Sequence, residues 1–178
     1  MTSKYIDTTA IMQVIGTVYN NAEILESDDK YLITEDDFPN DFHKVIFGAM
    51  YKLYELGAKH FTLENISDFF ESRPKAKAIY DSNKGSEWLL EISEKSISSA
   101  FDYYYNRMKK MTLLRQFDAH GIDVSFIYDP DNILDAKKKQ LQEENLDNST
   151  LSDLAQKVFD EIEEIRYKYV DNEFDEPS

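Results

Sequence analysis

Acidic pairs and three histidines are the side chains of this sequence whose types and spacing could do chemistry. Adjacent carboxylates can act in acid–base catalysis or hold a divalent metal. With 35 acidic residues in the chain, neighbouring acids arise without function, and nothing singles out one of the pairs, which include Asp28/Asp29, Glu35/Asp36/Asp37, Glu143/Glu144 and Glu163/Glu164. The histidines are His43, His60 and His120, and none of them belongs to an H-E-x-x-H arrangement. The sequence therefore predicts no catalytic and no metal-binding residue.

Nucleotide and covalent chemistry have no better support. The 178 residues contain no P-loop, no G-x-G-x-x-G loop and no G-x-S-x-G elbow. Cysteine is absent, which excludes disulfides, thiolate metal sites and cysteine nucleophiles. The start, MTSKYIDTT, lacks the apolar core of a secretory signal, and no apolar run approaches the ~18 residues of a membrane span. We expect a soluble, cytoplasmic protein that is not an enzyme by itself and binds no cofactor.

Three consecutive tyrosines followed by basic residues, in SAFDYYYNRMKKMTLLRQF (residues 99–117), raise the question of nucleic-acid binding. Aromatic rings can stack on bases while cations hold the phosphates. Successive helical residues project about 100° apart, however, so Tyr103, Tyr104 and Tyr105 cannot form one stacking surface. The net charge of −15 also repels nucleic acid unless basic residues gather on one face. We interpret the tyrosines as packing and interface residues, and single-strand binding stays an alternative.

The elements that position these residues are predicted to be helices. Glycine and proline are scarce, at five and four, which favours helices over a turn-rich β fold. Apolar residues at steps of three and four predict helices over residues 8–20 (capped by Thr8 or Thr9) and 22–30, from Asn40 to a stop at Gly57, from Thr62 to Arg73, and from Gly85 onward. The predicted fold class is all-α, and residues 1–96 form a globular helical head.

An antiparallel helical hairpin is predicted after the head, over residues 97–170. Ser98 or Ser99 starts a long helix that reaches about Tyr128, where a proline follows. Residues 129–148 connect it to a last helix, whose apolar seam from Leu151 to Ile165 faces the first helix. Residues 171–178 form an acidic tail or the start of a linker.

Pairing between two copies of the hairpin follows from its surplus of apolar surface. Two helices alone cannot cover the side chains on their outer flanks, so burying those side chains requires a second copy. The residues predicted to form the hairpin seam and the oligomer interface are Phe101, Tyr104, Tyr105, Met108, Met111, Leu114, Phe117, Leu154, Val158, Phe159 and Ile162.

Several motifs, taken in order, resemble those of one family. DFPNDFHKVIFGAMYKLYELG (residues 37–57) matches a run in which the family places F, H, I-F, L and G. GSEWLLEI (residues 85–92) resembles its G-G-x-x-Y-L-x-x-L motif, and residues 113–115, Leu-Leu-Arg, resemble the L-L-R of its next helix. Over about residues 10–170 the chain resembles the N-terminal domain of DnaB-type replicative DNA helicases, in a divergent form that suits a phage or prophage.

The resemblance implies a ring-organising role. In that family the domain dimerises, three pairs form a collar on the hexamer, and the collar docks primase or the helicase loader. It further implies that ATP and magnesium belong to a motor domain missing from these residues, that this domain is non-catalytic in isolation, and that it binds little DNA directly. A phage-encoded protein would act in the cytoplasm of its bacterial host.

Four other interpretations remain open at this stage. The helicase-binding domain of a primase shares this kind of fold, and a stand-alone phage adaptor could mimic the collar. A small metal-dependent hydrolase using an acidic cluster belongs to a different class, as does a direct single-strand binder. Homo-oligomerisation favours the collar, whereas binding to a helicase as a monomer favours the primase domain.

Overall fold

Every regular element in the described part of the chain is helical. The computed structural model describes residues 4–132 and 135–171. Their α-helices are α1 (Thr8–Asn20), α2 (Asp41–Glu55), α3 (Leu63–Phe70), α4 (Pro74–Ser82), α5 (Gly85–Lys95), α6 (Phe101–Ala119), α7 (Ala136–Asp147) and α8 (Leu151–Arg166). Short 3₁₀ turns cover Ala22–Glu26, Glu35–Asp37 and Ser98–Ala100, and a π turn, Tyr167–Asp171, follows α8. The predicted all-α class is confirmed.

The chain folds as two compact units. The first, Ile6–Thr112, contains the helical head, and the second contains the chain from Leu113 onward together with Lys4 and Tyr5. This order agrees with the prediction of a head followed by a hairpin. The predicted domain limit at residue 96 stays a prediction, because the first unit extends into α6. Of the predicted tail, residues 172–178 lie outside the described part.

Polar side chains start the helices where the sequence places them. The Asn40 side chain accepts from the Phe42 N–H at 2.8 Å and begins α2. Thr62 and Thr150 form reciprocal capping boxes with the residues three positions later. The start of α1 differs from the prediction, because Asp7, rather than Thr8 or Thr9, accepts from the Ala10 N–H at 2.9 Å.

The head is built around a close crossing of α1 and α5. Gly16 lies at the crossing, where an added Cβ would stand 2.6 Å from the carbonyl oxygen of Ile92. Only glycine lets the two backbones approach to this distance. Around the crossing, the first unit buries a continuous apolar core whose largest fully buried members include Ile15, Phe38, Ile46, Met50, Ile66, Phe70 and Leu89.

Two helices are shorter in the structure than the sequence predicts. The helix predicted over residues 22–30 is only the 3₁₀ turn Ala22–Glu26, because Ser27 and the two aspartates after it favour turns. The helix predicted to reach Tyr128 ends at Ala119. Gly121 has φ +82° there, the Ile122 N–H donates to the Phe117 carbonyl at 2.9 Å, and a Schellman stop results.

The second unit has a small apolar interior of its own. After α6 ends, residues 121–128 form turns, and α7 and α8 follow as a helical hairpin arrangement joined by residues 148–150. α7 occupies the stretch predicted as a connection. The N-terminal segment contributes as well, since Arg115 Nη1 donates to the Tyr5 carbonyl at 2.6 Å. The buried apolar side chains of this unit include Leu114, Val124, Leu146, Leu154 and Val158.

Candidate protein-interaction surface

Two basic residues of α6 are paired with acids of the head. Arg107 Nε lies 3.1 Å from Asp7 Oδ2, and Lys109 Nζ lies 2.9 Å from Asp37 Oδ2. Lys110 is buried as well. Cations that are buried or paired inside the protein are not displayed for phosphate, so this cluster lacks the open basic face that nucleic-acid binding requires.

The three tyrosines of α6 do not form one stacking face, because the rings of Tyr103 and Tyr104 meet edge-on with their centroids 5.2 Å apart. Tyr103 is exposed, whereas Tyr104 and Tyr105 are half-buried. The Tyr105 hydroxyl accepts from the Leu32 N–H at 2.9 Å, and its ring lies 5.1 Å from that of Tyr31 in an edge-on arrangement. Burial raises the pKa of this hydroxyl, so it stays protonated. Tyr105 therefore ties α6 to the head rather than offering a face to a base.

The residues predicted for the hairpin interface are divided between the two units. Phe101 and Met108 belong to the apolar core of the head, and Tyr104 and Tyr105 pack against it. In the second unit Leu114, Leu154 and Val158 are buried, and Phe117 is half-buried. Met111, on the first-unit part of α6, is buried too. Their part in pairing between subunits stays a prediction.

Two of the predicted residues are exposed and lie on α8. Phe159 is 59% exposed and Ile162 is 44% exposed, and Ile165 continues the stripe at 50%. These positions follow one another at steps of three, so they share one face of the helix. Leu154, Val158, Ile162 and Ile165 follow one another at steps of four, four and three, so they form a single seam along the helix. α8 thus buries the first half of this apolar seam and leaves the second half, with Phe159 at its edge, in solvent.

A groove of about 430 Å³ adjoins the exposed stripe of α8. Ile162 and Ile165 form one wall, and residues 121–126 form the other. Phe126, 52% exposed, lines the groove and is absent from the predicted set. The prediction missed it because a helix continuing past Ala119 would have placed it elsewhere. Interpreting Gly121 as the end of α6 would have placed Phe126 correctly, in the turn after the helix.

Charge at the rim of the groove is negative. The Ser125 N–H donates to Asp123 Oδ1 at 2.9 Å, and this bond lowers the pKa of the Asp123 carboxyl. Glu161 lines the groove from the other side. An apolar floor with charged edges is the usual anatomy of a protein–protein contact.

The residues weighed for catalysis have structural surroundings. Asp37 is fully buried and bonded to its neighbours, and the His43 ring lies 5.3 Å from that of Trp88 in the head. His43 Nδ1 is buried and has no hydrogen-bond partner among the described residues, and burial lowers the pKa of the ring. Within residues 4–132 and 135–171, no three acidic or histidine side chains are arranged to hold a metal ion.

Comparison with known proteins gives one family and one curated relative. The family model described as "DnaB-like helicase N terminal domain" matches residues 5–110. The chain is also similar to the SPbeta prophage-derived uncharacterized protein YorI of Bacillus subtilis strain 168, with 33% identity over 163 residues. That match covers 92% of this chain and 32% of YorI, so the chain spans about a third of its relative.

No solved structure matches the chain. Among the helices in the described ranges, none combines the length and the apolar character needed to cross a bilayer.

Proposed function

The chain belongs to the DnaB-like helicase N-terminal domain family, and from this premise we propose that it organises a helicase ring of phage type. In this role the domain forms part of the collar, pairs with a second copy of itself, and docks primase or a helicase loader. The matched family is that of the N-terminal domain, so the chain is non-catalytic by itself. ATP and magnesium would be used by a motor domain of the helicase.

The exposed stripe of α8 is the observation that carries the self-association. Phe159, Ile162 and Ile165 are exposed in the C-terminal half of α8, where the apolar seam runs on beyond the buried Leu154 and Val158. Burying one large apolar side chain contributes roughly 1.5–3 kcal/mol. Three such residues beside a groove therefore offer several kcal/mol to a surface that covers them.

A second copy is the occupant that best suits this stripe. In a two-fold dimer, α8 of each subunit would lie against α8 and the groove of the other, and both stripes would be covered at once. Both subunits use the same patch, so one substitution in the sequence changes the interface at two symmetry-related positions. This doubling makes the interface sensitive to single substitutions.

The test is the mass of the protein in solution. Wild-type protein should be a dimer or larger, and its mass should fall on dilution. The double variant Phe159→Ser/Ile162→Ser should be monomeric with unchanged helicity, because both side chains are already in solvent in the single chain. Sedimentation velocity across a range of concentrations measures the mass, and circular dichroism measures the helicity.

Leu90→Ser is the matched control. Leu90 is also an exposed apolar residue on a helix, at 48% exposure, but it belongs to the head. This variant should keep the mass of wild type. A wild-type protein that stays monomeric at high concentration, or a double variant that still dimerises, would contradict the proposed pairing.

A further inference from the structure

The head carries an apolar pocket of about 300 Å³. Phe47, which is buried, and Tyr51, which is exposed, form the wall on α2, and Ile33, before the 3₁₀ turn Glu35–Asp37, forms the other. The Phe47 ring lies 4.9 Å from that of Phe38, which is fully buried. The wall is therefore anchored in the core, and the pocket is a fixed feature of the head.

Gly48 lines this pocket, and no contact within the chain explains why a glycine stands at this position. Glycine in a helix interior is destabilising relative to alanine. Of the five glycines, Gly57 and Gly121 have positive φ, and a Cβ at Gly16 or Gly85 would clash with the Ile92 carbonyl or the Tyr80 ring. A Cβ at Gly48 would meet nothing within 4 Å, and no positive φ requires glycine there.

The contrast with Gly16 indicates what Gly48 is for. Both glycines lie in the middle of a helix, and at Gly16 the missing side chain lets α5 cross α1 at close range. At Gly48 the same opening faces solvent beside an apolar pocket. A bare patch of helix backbone next to apolar walls is suited to a crossing helix from another molecule.

The charges around the pocket decide between possible partners. Glu35 and Lys44 in the lining carry opposite charges, and Lys52 Nζ lies 3.5 Å from Glu55 Oε2. The charges of Glu55, first, and of Asp28 still raise the pKa of the Tyr51 hydroxyl, and Asp28 has no cation among these neighbours to balance it. A second copy would bring another net charge of −15 to this acidic surface, whereas a basic partner would be attracted to it.

We propose that this pocket docks an amphipathic helix of a partner protein, which crosses α2 over Gly48, fills the pocket with apolar side chains and carries lysine or arginine on its flanks. The inference rests on the proposed function only in treating the collar domain as a docking platform. It uses a surface separate from the α8 stripe, so the two can fail independently.

The probe for this proposal is a synthetic helical peptide with leucines at steps of three and four, alanine at its centre and lysines elsewhere. It is titrated into the isotope-labelled 178-residue chain, and backbone amide NMR signals are followed. Shifts should concentrate at Ile33–Glu35 and Lys44–Tyr51. A peptide with glutamate in place of every lysine should not bind.

Two variants locate the binding. Gly48→Leu places a side chain in the pocket without disturbing any contact within the chain, and should weaken binding roughly tenfold or more, because the apolar contact of one side chain is lost. Ala78→Leu, at an exposed position on α4, is the matched control and should leave binding unchanged. Glu35→Lys should weaken binding through charge while leaving the pocket open.

Distinct outcomes overturn the proposal. Equal affinity for wild type and Gly48→Leu, or shifts spread evenly over the acidic surface, would show attraction without docking. A fall in dimer mass for Gly48→Leu would assign the pocket to a second copy instead. The Phe159→Ser/Ile162→Ser variant should still bind the peptide as a monomer. If wild type is monomeric yet binds the peptide at the pocket, only the proposed self-pairing fails.

Discussion

Asp37 illustrates how one buried carboxylate settles the role of a basic cluster. Its oxygens accept from the Thr34 N–H at 2.9 Å, from the Lys109 ammonium and from the Thr112 hydroxyl at 2.7 Å. The sequence analysis grouped Asp37 with the neighbouring acids Glu35 and Asp36, and it weighed the basic residues that follow Tyr105 as phosphate ligands. The two lie 72 positions apart in the chain, so local patterns contained no sign that they meet.

Asp37→Asn should destabilise the protein by about 3 kcal/mol, because the Lys109 ammonium would be left without its charge partner in a mostly buried position. Asparagine keeps the shape but replaces one of the two acceptor oxygens with an NH₂ donor, so the loss reports the missing charge together with one lost hydrogen bond. Urea denaturation gives the free energy of unfolding. Glu35→Gln, at an exposed acid two positions earlier, should change it by less than about 0.5 kcal/mol. Equal stability of the two variants would contradict the assigned role.

His43 predicts a dependence of stability on pH. Burial lowers the pKa of the folded ring below its ordinary value of about 6.5, so as pH falls the unfolded chain binds this proton first. The stability contributed by neutral His43 is fully present above about pH 6.5 and is lost as pH falls from there through the folded pKa. The urea midpoint of wild type should therefore drop between about pH 7 and pH 5 more steeply than that of His43→Gln. Parallel curves would show that His43 does not titrate in this window.

At the scale of elements, periodicity predicted where helices lie better than where they end. The apolar steps of three and four in α1, α2 and α8, and the caps at Asn40, Thr62 and Thr150, all correspond to the structure. The predicted end of α6 was wrong, because the spacing of Gly121 fitted the apolar seam and was taken to continue the helix. The backbone conformation of Gly121 ends the helix instead, since a glycine in the left-handed region stops a helix regardless of the apolar pattern. The exposed Phe126 was missed for the same reason.

Gly121→Ala should destabilise the protein by about 1–2 kcal/mol, because φ +82° forces a Cβ into the unfavourable left-handed region. No atom lies within 4 Å of the added Cβ, so the loss would come from backbone strain and not from a clash. Urea denaturation measures the change, and Gly121→Asn should lose less, because asparagine tolerates this conformation. A stability gain on going to alanine would mean that α6 can continue past residue 119.

At the scale of the whole molecule, the net charge of −15 opposes contact between copies. Sequence composition predicted this directly, and it also predicted that nucleic acid is a poor partner. It could not predict how much of the apolar seam of α8 stays open, because that depends on how far along α8 the apolar interior of the second unit extends.

Self-association of the chain should tighten as salt is added, because screening weakens the repulsion between two acidic copies while the apolar contact persists. Raising sodium chloride from about 0.05 M to about 0.5 M should lower the dimer dissociation constant in sedimentation equilibrium. Binding of the lysine-bearing helical peptide should weaken over the same range. Dimer dissociation on adding salt would indicate that ion pairs, rather than the α8 stripe, hold the copies together.

The bond from Arg115 to the Tyr5 carbonyl has a consequence for synthesis on the ribosome. The two residues are 110 positions apart, so this bond cannot form until most of the polypeptide has emerged. The segment around Tyr5 cannot form this bond until Arg115 has been synthesised. The head, which lies between these two residues in the sequence, can already fold around its own core. A bulky tag fused directly ahead of Lys4 would therefore hinder the last step of maturation, and a long spacer would relieve it.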